Sequence, residues 1–275
     1  MTIESFIPQN DFLKNFIRCI YIIETSVQEK KFSFLIFPSV STYLSVSMGT
    51  TFSIKENTIT TQFSDNQCLD SSIQLSLSKS YIYEYQGHTK EICILFKPLG
   101  VYSFFDEQYL WNNLNSFIPS DTFQDFFAEI LVLENYKNII TKLEEYFLTL
   151  YKPFKHKYLQ EVVSILENID DYQKVNLTEI AHKYQITRQT LHNQFKKYLD
   201  LSPSQFKQIW KFRKFIDSKL SDNTHAKLTD IVYDIGFFDQ SHLIKYFKKF
   251  SSLTPLDFFK KIQTSENKTI LLVWQ

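Results

Sequence analysis

The sequence predicts an α+β fold: a β-rich N-terminal domain, barrel-like or sandwich, with amphipathic helices, followed by an all-α domain of two helix, turn, helix units joined by a long helix. Three observations carry this. Hydrophobic residues first alternate in short aromatic and β-branched runs, which is the period of strands. From Ser120 they recur at three and four, which is the period of helices. Beyond Asn176 the chain repeats itself imperfectly, at an offset of 51 to 52 residues.

Composition bounds the classes that remain. At 275 residues the chain has length for two domains. With 44% hydrophobic and 17% aromatic residues it can bury a full core, which argues against wholesale disorder. The 4 glycines leave almost no material for phosphate-cradling loops, and neither GxGxxG nor GxxxxGK occurs. Cys19, Cys68 and Cys93 are odd in number, widely spaced and without a CxxC, so neither a disulfide framework nor a zinc knuckle is expected. The start, Met1-Thr2-Ile3-Glu4, lacks a basic region followed by an apolar one. No stretch approaches the roughly 18 apolar residues of a membrane span. The expectation is a soluble, cytoplasmic protein with reduced thiols and no membrane partner.

The elements follow in order. Phe32-Ser33-Phe34-Leu35-Ile36-Phe37 and Tyr43-Leu44-Ser45-Val46-Ser47 read as strands. Glu91-Ile92-Cys93-Ile94-Leu95-Phe96 is another, stopped by Pro98 and Gly100. Phe123, Phe126, Phe127, Ile130 and Leu131 mark a helix over 120–133. Ile139, Ile140, Leu143, Tyr146, Phe147 and Leu150 mark a second over 135–151, with Pro153 beyond its end. Expected domains are a β-rich sensing or dimerisation domain over 1–115, a helical linker and dimerisation region over 116–157, an α domain over 158–262 and a tail over 263–275.

The repeat is the most informative feature. Leu177-Thr178-Glu179-Ile180 returns as Leu228-Thr229-Asp230-Ile231. Leu191 and Phe195-Lys196-Lys197-Tyr198 return as Leu243 and Phe247-Lys248-Lys249-Phe250, and Ser202-Pro203 and Phe206 return as Thr254-Pro255 and Phe258. Two copies exclude a stacking solenoid. In copy one, Asn176 and Glu179 make a capping-box-like start, Ile180 and Ala181 face inward, Ile186 sits in the turn and Thr187 caps the second helix. Leu191, Phe195 and Tyr198 form that helix's buried stripe, leaving Arg188, Gln189, His192, Asn193 and Lys196 outward. In copy two, Gly236 sits in the turn, Asp239 caps, and Leu243, Phe247 and Phe250 face inward. Gln240, Ser241, Ile244, Lys245 and Lys248 then face outward. Between the copies, Ser202 and Pro203 start a long helix running to about Leu220.

Charge and chemistry point the same way. Residues 172–262 hold 16 basic and 8 acidic residues, net +8, whereas 1–157 hold 13 and 17, net −4. A neutral chain thus conceals a basic C-terminal third, the footprint of a nucleic-acid binder. The major groove of double-stranded DNA admits an α-helix; Gln and Asn can bond an adenine edge, and Arg or Lys a guanine edge. Lysines further along reach phosphates. The ten outward residues are therefore the candidate DNA-binding residues. A rigid helix between two reading heads fixes their separation, ideally near one DNA turn, about 34 Å.

At this point a resemblance is specific. Residues 177–259 resemble the DNA-binding domain of AraC/XylS-type bacterial transcription regulators, most clearly through Ile231, Gly236, Phe237, Gln240, Ser241, Phe247, Lys248, Lys249, Thr254, Pro255 and Phe258 at the family's spacing. The sequence departs from it at Gln185, Asp200 and Ser252, where such domains often carry glycine. It departs also at His192-Asn193, which replaces a commoner polar-Arg pair, and at Lys245, which replaces Arg; these last two bear on the base sequence preferred. Phe6-Ile7-Pro8, Phe37-Pro38 and Phe96-Lys97-Pro98-Leu99-Gly100 resemble an uncharacterised β-rich module that precedes such domains. The resemblance implies a transcription regulator, RNA polymerase as a partner, and for many relatives a homodimer and a small-molecule effector, here of unknown identity.

Competing chemistry finds little support. His88, His156, His182, His192, His225 and His242 have neither HxxxH nor HxH spacing, so no metal site or cofactor is expected. Glu144-Glu145 and Asp170-Asp171 read as solvated faces, and no nucleophile signature such as GxSxG appears, so an enzyme is disfavoured. The alternative is a regulator without an effector, controlled by abundance or by a protein partner. Lys196-Lys197 and Lys248-Lys249 recur at matching phases, favouring phosphate contact by at least one of each pair. Trp210 reads as core rather than a stacking platform. The apolar run Ile270-Leu271-Leu272-Val273-Trp274 reads equally as a strand docked on the N-terminal domain or as a partner contact.

Overall fold

Two antiparallel-rich sheets and a helical layer build the N-terminal half, seen in a computed structural model that describes residues 1–26, 31–66, 68–114, 116–168, 176–221, 240–264 and 271–274. The first sheet runs β1 (Thr2–Phe6), β2 (Ile17–Thr25), β9 (Thr89–Phe96), β4 (Thr42–Met48), β7 (Leu69–Gln74), all antiparallel. The second runs β10 (Gln263–Thr264), β11 (Leu271–Trp274), β3 (Phe32–Ile36), β8 (Tyr81–Gln86), β6 (Thr58–Phe63), β5 (Thr50–Lys55). Within it, β6 and β8 are parallel.

β2 and β9 are buried or half-buried at every position because both their faces are covered. Alternate side chains of a strand point to opposite faces. Cys19, Tyr21, Ile23, Cys93 and Leu95 therefore meet Phe34 and Tyr85 between the two sheets. Ile20, Ile22, Ile92, Ile94 and Phe96 instead join the main core on the helical side. That side is covered by α2 (Asp121–Leu131) and α3 (Tyr136–Leu150), which follow the short α1 (Glu107–Asn112). Ser120 caps α2 by accepting from Phe123 N, and Asn135 caps α3 by accepting from Asn138 N. Their apolar stripes, Phe123, Phe127 and Ile130, then Ile139, Leu143 and Phe147, are buried in this chain's own core.

One glycine is dictated by a close approach. After β9 the chain turns through Leu99 at φ 66°, and a Cβ on Gly100 would lie 2.4 Å from the carbonyl oxygen of Phe16. That oxygen already accepts from Lys97 N at 2.7 Å, which holds the two backbones together.

The C-terminal helices are α4 (Leu159–Glu167), α5 (Leu177–Lys183), α6 (Arg188–Leu199), α7 (Pro203–Ser221), α8 (Gln240–Ser251) and α9 (Pro255–Lys261). Ser202 Oγ accepts from Gln205 N at 3.1 Å and Gln205 Oε1 accepts from Ser202 N at 2.9 Å, a reciprocal box that starts α7 with Pro203 in its first turn. Phe195, Phe206, Phe212, Phe215, Phe247 and Phe258 fill the space between these helices. This packing is continuous with the N-terminal core: Phe37 meets Phe258 at 4.8 Å and Tyr102 meets Tyr198 at 5.2 Å between ring centroids.

The apolar tail docks as a strand. Leu272 pairs with Ile36 and Trp274 with Phe34, so β11 extends the second sheet along β3. Pairing gives the exposed edge of β3 its hydrogen-bond partners. Of the copy-two residues named from sequence, Leu228 to Ile231, Gly236, Phe237 and Asp239 lie outside the described residues, as does Ile270.

Candidate nucleic-acid interface

Copy one is built from local signals. Asn176 Oδ1 accepts from Thr178 N at 2.9 Å and its amide donates to Glu179 Oε1 at 3.0 Å, so Glu179 steadies the cap instead of reaching back to the Asn176 N–H. α5 buries Ile180 and Ala181, and the chain leaves it through Gln185 at φ 54°. Ile186 N donates to Ala181 O at 3.0 Å, which closes the turn. Thr187 then caps α6 by accepting from Thr190 N at 3.0 Å.

α6 and α8 carry the same stripe one repeat apart. Leu191, Phe195 and Tyr198 are buried in α6, and Leu243, Phe247 and Phe250 in α8. Because both stripes are held in the core, the opposite faces are forced outward. Arg188, Gln189, His192, Asn193 and Lys196 on α6 are all exposed, and so are Gln240, Ser241, Ile244, Lys245 and Lys248 on α8. Gln189 Nε2 donates to Asn193 Oδ1 at 2.8 Å across one turn. Lys196 Nζ donates to Asp200 O at 3.0 Å at the end of α6.

The paired lysines divide in the same way in both copies. Lys197 Nζ sits 3.9 Å from the centroid of the Trp111 ring, a cation–π contact with the N-terminal domain. Lys249 Nζ donates to Gln208 Oε1 at 2.6 Å. The second lysine of each pair thus meets a distant segment of the protein, whereas Lys196 reaches only the end of its own helix and Lys248 lies on the outward face. Phase along each helix already places Lys196 and Lys248 outward; what spacing does not show is which distant groups meet Lys197 and Lys249. Trp210 is a packing residue: its Nε1 donates to Glu167 O at 2.9 Å and its ring stacks on Phe206. His182 is exposed on α5. Among the described residues no group of three His, Cys, Asp or Glu side chains could hold a metal ion.

Residues 180–261 match the family model of a helix-turn-helix domain. They form an AraC-type helix-turn-helix domain. Over 100 residues the chain is 28% identical to the HTH-type transcriptional regulator GbdR of Pseudomonas aeruginosa, a match covering 36% of this chain and 26% of that protein. Over 84 residues it is 29% identical to the HTH-type transcriptional activator RhaS of Escherichia coli O157:H7, covering 30% of each. The match thus spans less than a third of either curated relative. ToxT of Vibrio cholerae aligns over 94% of this chain and 97% of that one, at 11% identity and a TM-score of 0.41.

A residue that sequence reading missed ties this domain to the sheets. Arg213, on α7 between the two units, is 9% exposed. Its Nε donates to Pro38 O and an Nη to Phe37 O, both at 2.6 Å. The Tyr102 hydroxyl donates to Tyr198 O at 2.8 Å, and the Tyr198 hydroxyl to Glu107 Oε2 at 2.8 Å. Arg213 also lines a cavity between the sheets, with Tyr21, Phe34, Tyr43, Tyr83 and Glu91. There Glu91 accepts from Ser45 Oγ at 2.5 Å and from the Tyr85 hydroxyl at 2.8 Å. Burial pushes the Glu91 carboxyl above its ordinary pKa, against those hydrogen bonds. The clue in sequence was the alternation of aromatic and basic residues in Trp210-Lys211-Phe212-Arg213-Lys214-Phe215, which leaves basic side chains no purely solvent-facing side of the helix.

No helix among the described residues is long and apolar enough to cross a membrane.

Proposed function

We propose that this chain is a sequence-specific DNA-binding transcription regulator that sets α6 and α8 into successive major-groove segments of double-stranded DNA. The observation carrying this is the twinned outward face: two helices, each locked by a buried apolar stripe, each presenting exposed amide, hydroxyl or cationic side chains. Arg188, Gln189, His192 and Asn193 on one head, and Gln240, Ser241, Ile244 and Lys245 on the other, face base edges in this reading. Lys196 and Lys248 face phosphates and set the register without reading sequence.

The N-terminal domain modulates that activity. Arg213 supports this part, because one side chain on the helix joining the heads touches both the Phe37-Pro38 backbone and the cavity between the sheets. A small molecule in that cavity would act on the linking helix directly. RNA polymerase and, as in many related regulators, a second copy of the chain are the protein partners that fit this role, in a cytoplasmic setting.

Selection of binding sites from random DNA by the full-length protein tests the reading. The expected result is one enriched sequence with two segments about one helical turn apart. Retention of DNA with no preference would refute it. Thermal shifts against a metabolite panel test the second part; no shift with any compound, alongside intact site selection, would favour control by abundance or by a protein partner.

A further inference from the structure

Gln189 and Asn193 stand one helical turn apart on α6, both exposed, joined by the hydrogen bond from Gln189 Nε2 to Asn193 Oδ1 at 2.8 Å. One bond between two side-chain amides leaves one carbonyl oxygen and one NH2 group facing away from it. Here these are the Gln189 oxygen and the Asn193 nitrogen. Reversing the bond, with Asn193 donating to Gln189, leaves the Gln189 nitrogen and the Asn193 oxygen. Either way the pair offers one acceptor and one donor side by side.

We propose that Gln189 and Asn193 act together as a single preformed reading edge for adenine. The proposal rests on the DNA-binding reading above and names the base that copy one selects. In the major groove adenine presents the N7 acceptor beside the N6 amino donor, which satisfies both halves of the pair. Guanine presents two acceptors, so its O6 opposes the pair's oxygen. Thymine offers only an acceptor beside a methyl group, and cytosine only a donor. The mutual bond also restricts two side chains before DNA arrives, so less rotamer freedom is lost on binding. Copy two lacks this device: one repeat later the same positions are Ser241 and Lys245.

The test replaces each adenine of the selected site, one at a time, with 7-deazaadenine, which lacks the N7 acceptor, or with purine, which lacks the N6 amino group. At one adenine, both analogues should weaken binding of the full-length protein about five-fold or more. Neither should weaken Gln189→Ala or Asn193→Ala any further at that position. Both variants alter exposed side chains, and unchanged thermal midpoints together with unchanged binding to unrelated DNA would show that they are folded. Sensitivity to the analogues that persists undiminished in both variants would overturn the proposal. Insensitivity at every adenine would also overturn it while leaving the regulator reading intact. Failure to select any site would overturn both.

Discussion

Gln185, Asp200 and Ser252 hold left-handed backbone, at φ 54°, 52° and 60°. Asp200 and Ser252 close α6 and α8, each donating its N–H to the carbonyl four residues back, Lys196 O and Lys248 O, at 3.1 Å. Left-handed backbone costs an ordinary L-residue about 1–2 kcal/mol. Glycine removes that cost but makes the unfolded chain freer, by about 0.4–1 kcal/mol. The difference leaves Ser252→Gly and Gln185→Gly each stabilising by about 0.5–1 kcal/mol. Asp200→Gly gains less, because aspartate tolerates this region. Its exposed carboxylate, 3.7 Å from Lys196 Nζ, contributes little to offset the change. The sites are separate in the chain, so the triple variant should gain about 1.5–2 kcal/mol, a rise of roughly 3–8 °C in midpoint. Thermal unfolding of the full-length protein followed by near-ultraviolet circular dichroism reads it. Glu145→Gly, exposed within α3, is the control and should cost about 1 kcal/mol. If Ser252→Gly and Gln185→Gly lower the midpoint as Glu145→Gly does, these positions carry no backbone strain and the reasoning fails.

Three other outcomes are expected. Gly100→Ala should destabilise by about 1–3 kcal/mol in urea, because its Cβ meets backbone at Phe16 that cannot swing aside; a loss under about 0.5 kcal/mol would mean that the two segments can part. The Glu167 carboxyl is pushed up to about 7 by burial, against Arg18 and Lys97, from a usual 4.5. The folded state then holds the proton more tightly than the unfolded, so this group's contribution to stability falls as pH rises from 4.5 to 7. Glu167→Gln should therefore gain midpoint relative to the parent between pH 5 and pH 8, and a constant difference would exclude the raised pKa. Lys248→Gln should flatten the dependence of log K on log salt by about 0.9, and Lys197→Gln should leave it unchanged because that ammonium is held over Trp111; equal flattening by both would contradict the division of the lysine pairs.

What was legible in the residues alone was whatever depends on neighbours a few positions apart. The periodicity over 120–133 and 135–151 became α2 and α3, and Ser120 and Asn135 cap them. The repeat placed Leu191, Phe195 and Tyr198 inside with Leu243, Phe247 and Phe250, and so turned both candidate faces outward. Caps and stripes are written locally because a helix brings positions i, i+3 and i+4 together wherever it lies. Tertiary structure decided the rest. The apolar tail was equally a strand or a partner contact until β3 took it as a strand. Helical phase set Lys196 outward, but the partner of Lys197 was open until Trp111, 86 residues earlier in the chain, met its ammonium. Arg213 was one of three basic residues among aromatics until the carbonyls of Phe37 and Pro38, some 175 residues away, accepted its hydrogen bonds. Each of these outcomes depends on which distant segment the fold brings within hydrogen-bonding or van der Waals reach, and local pattern carries no record of that distance.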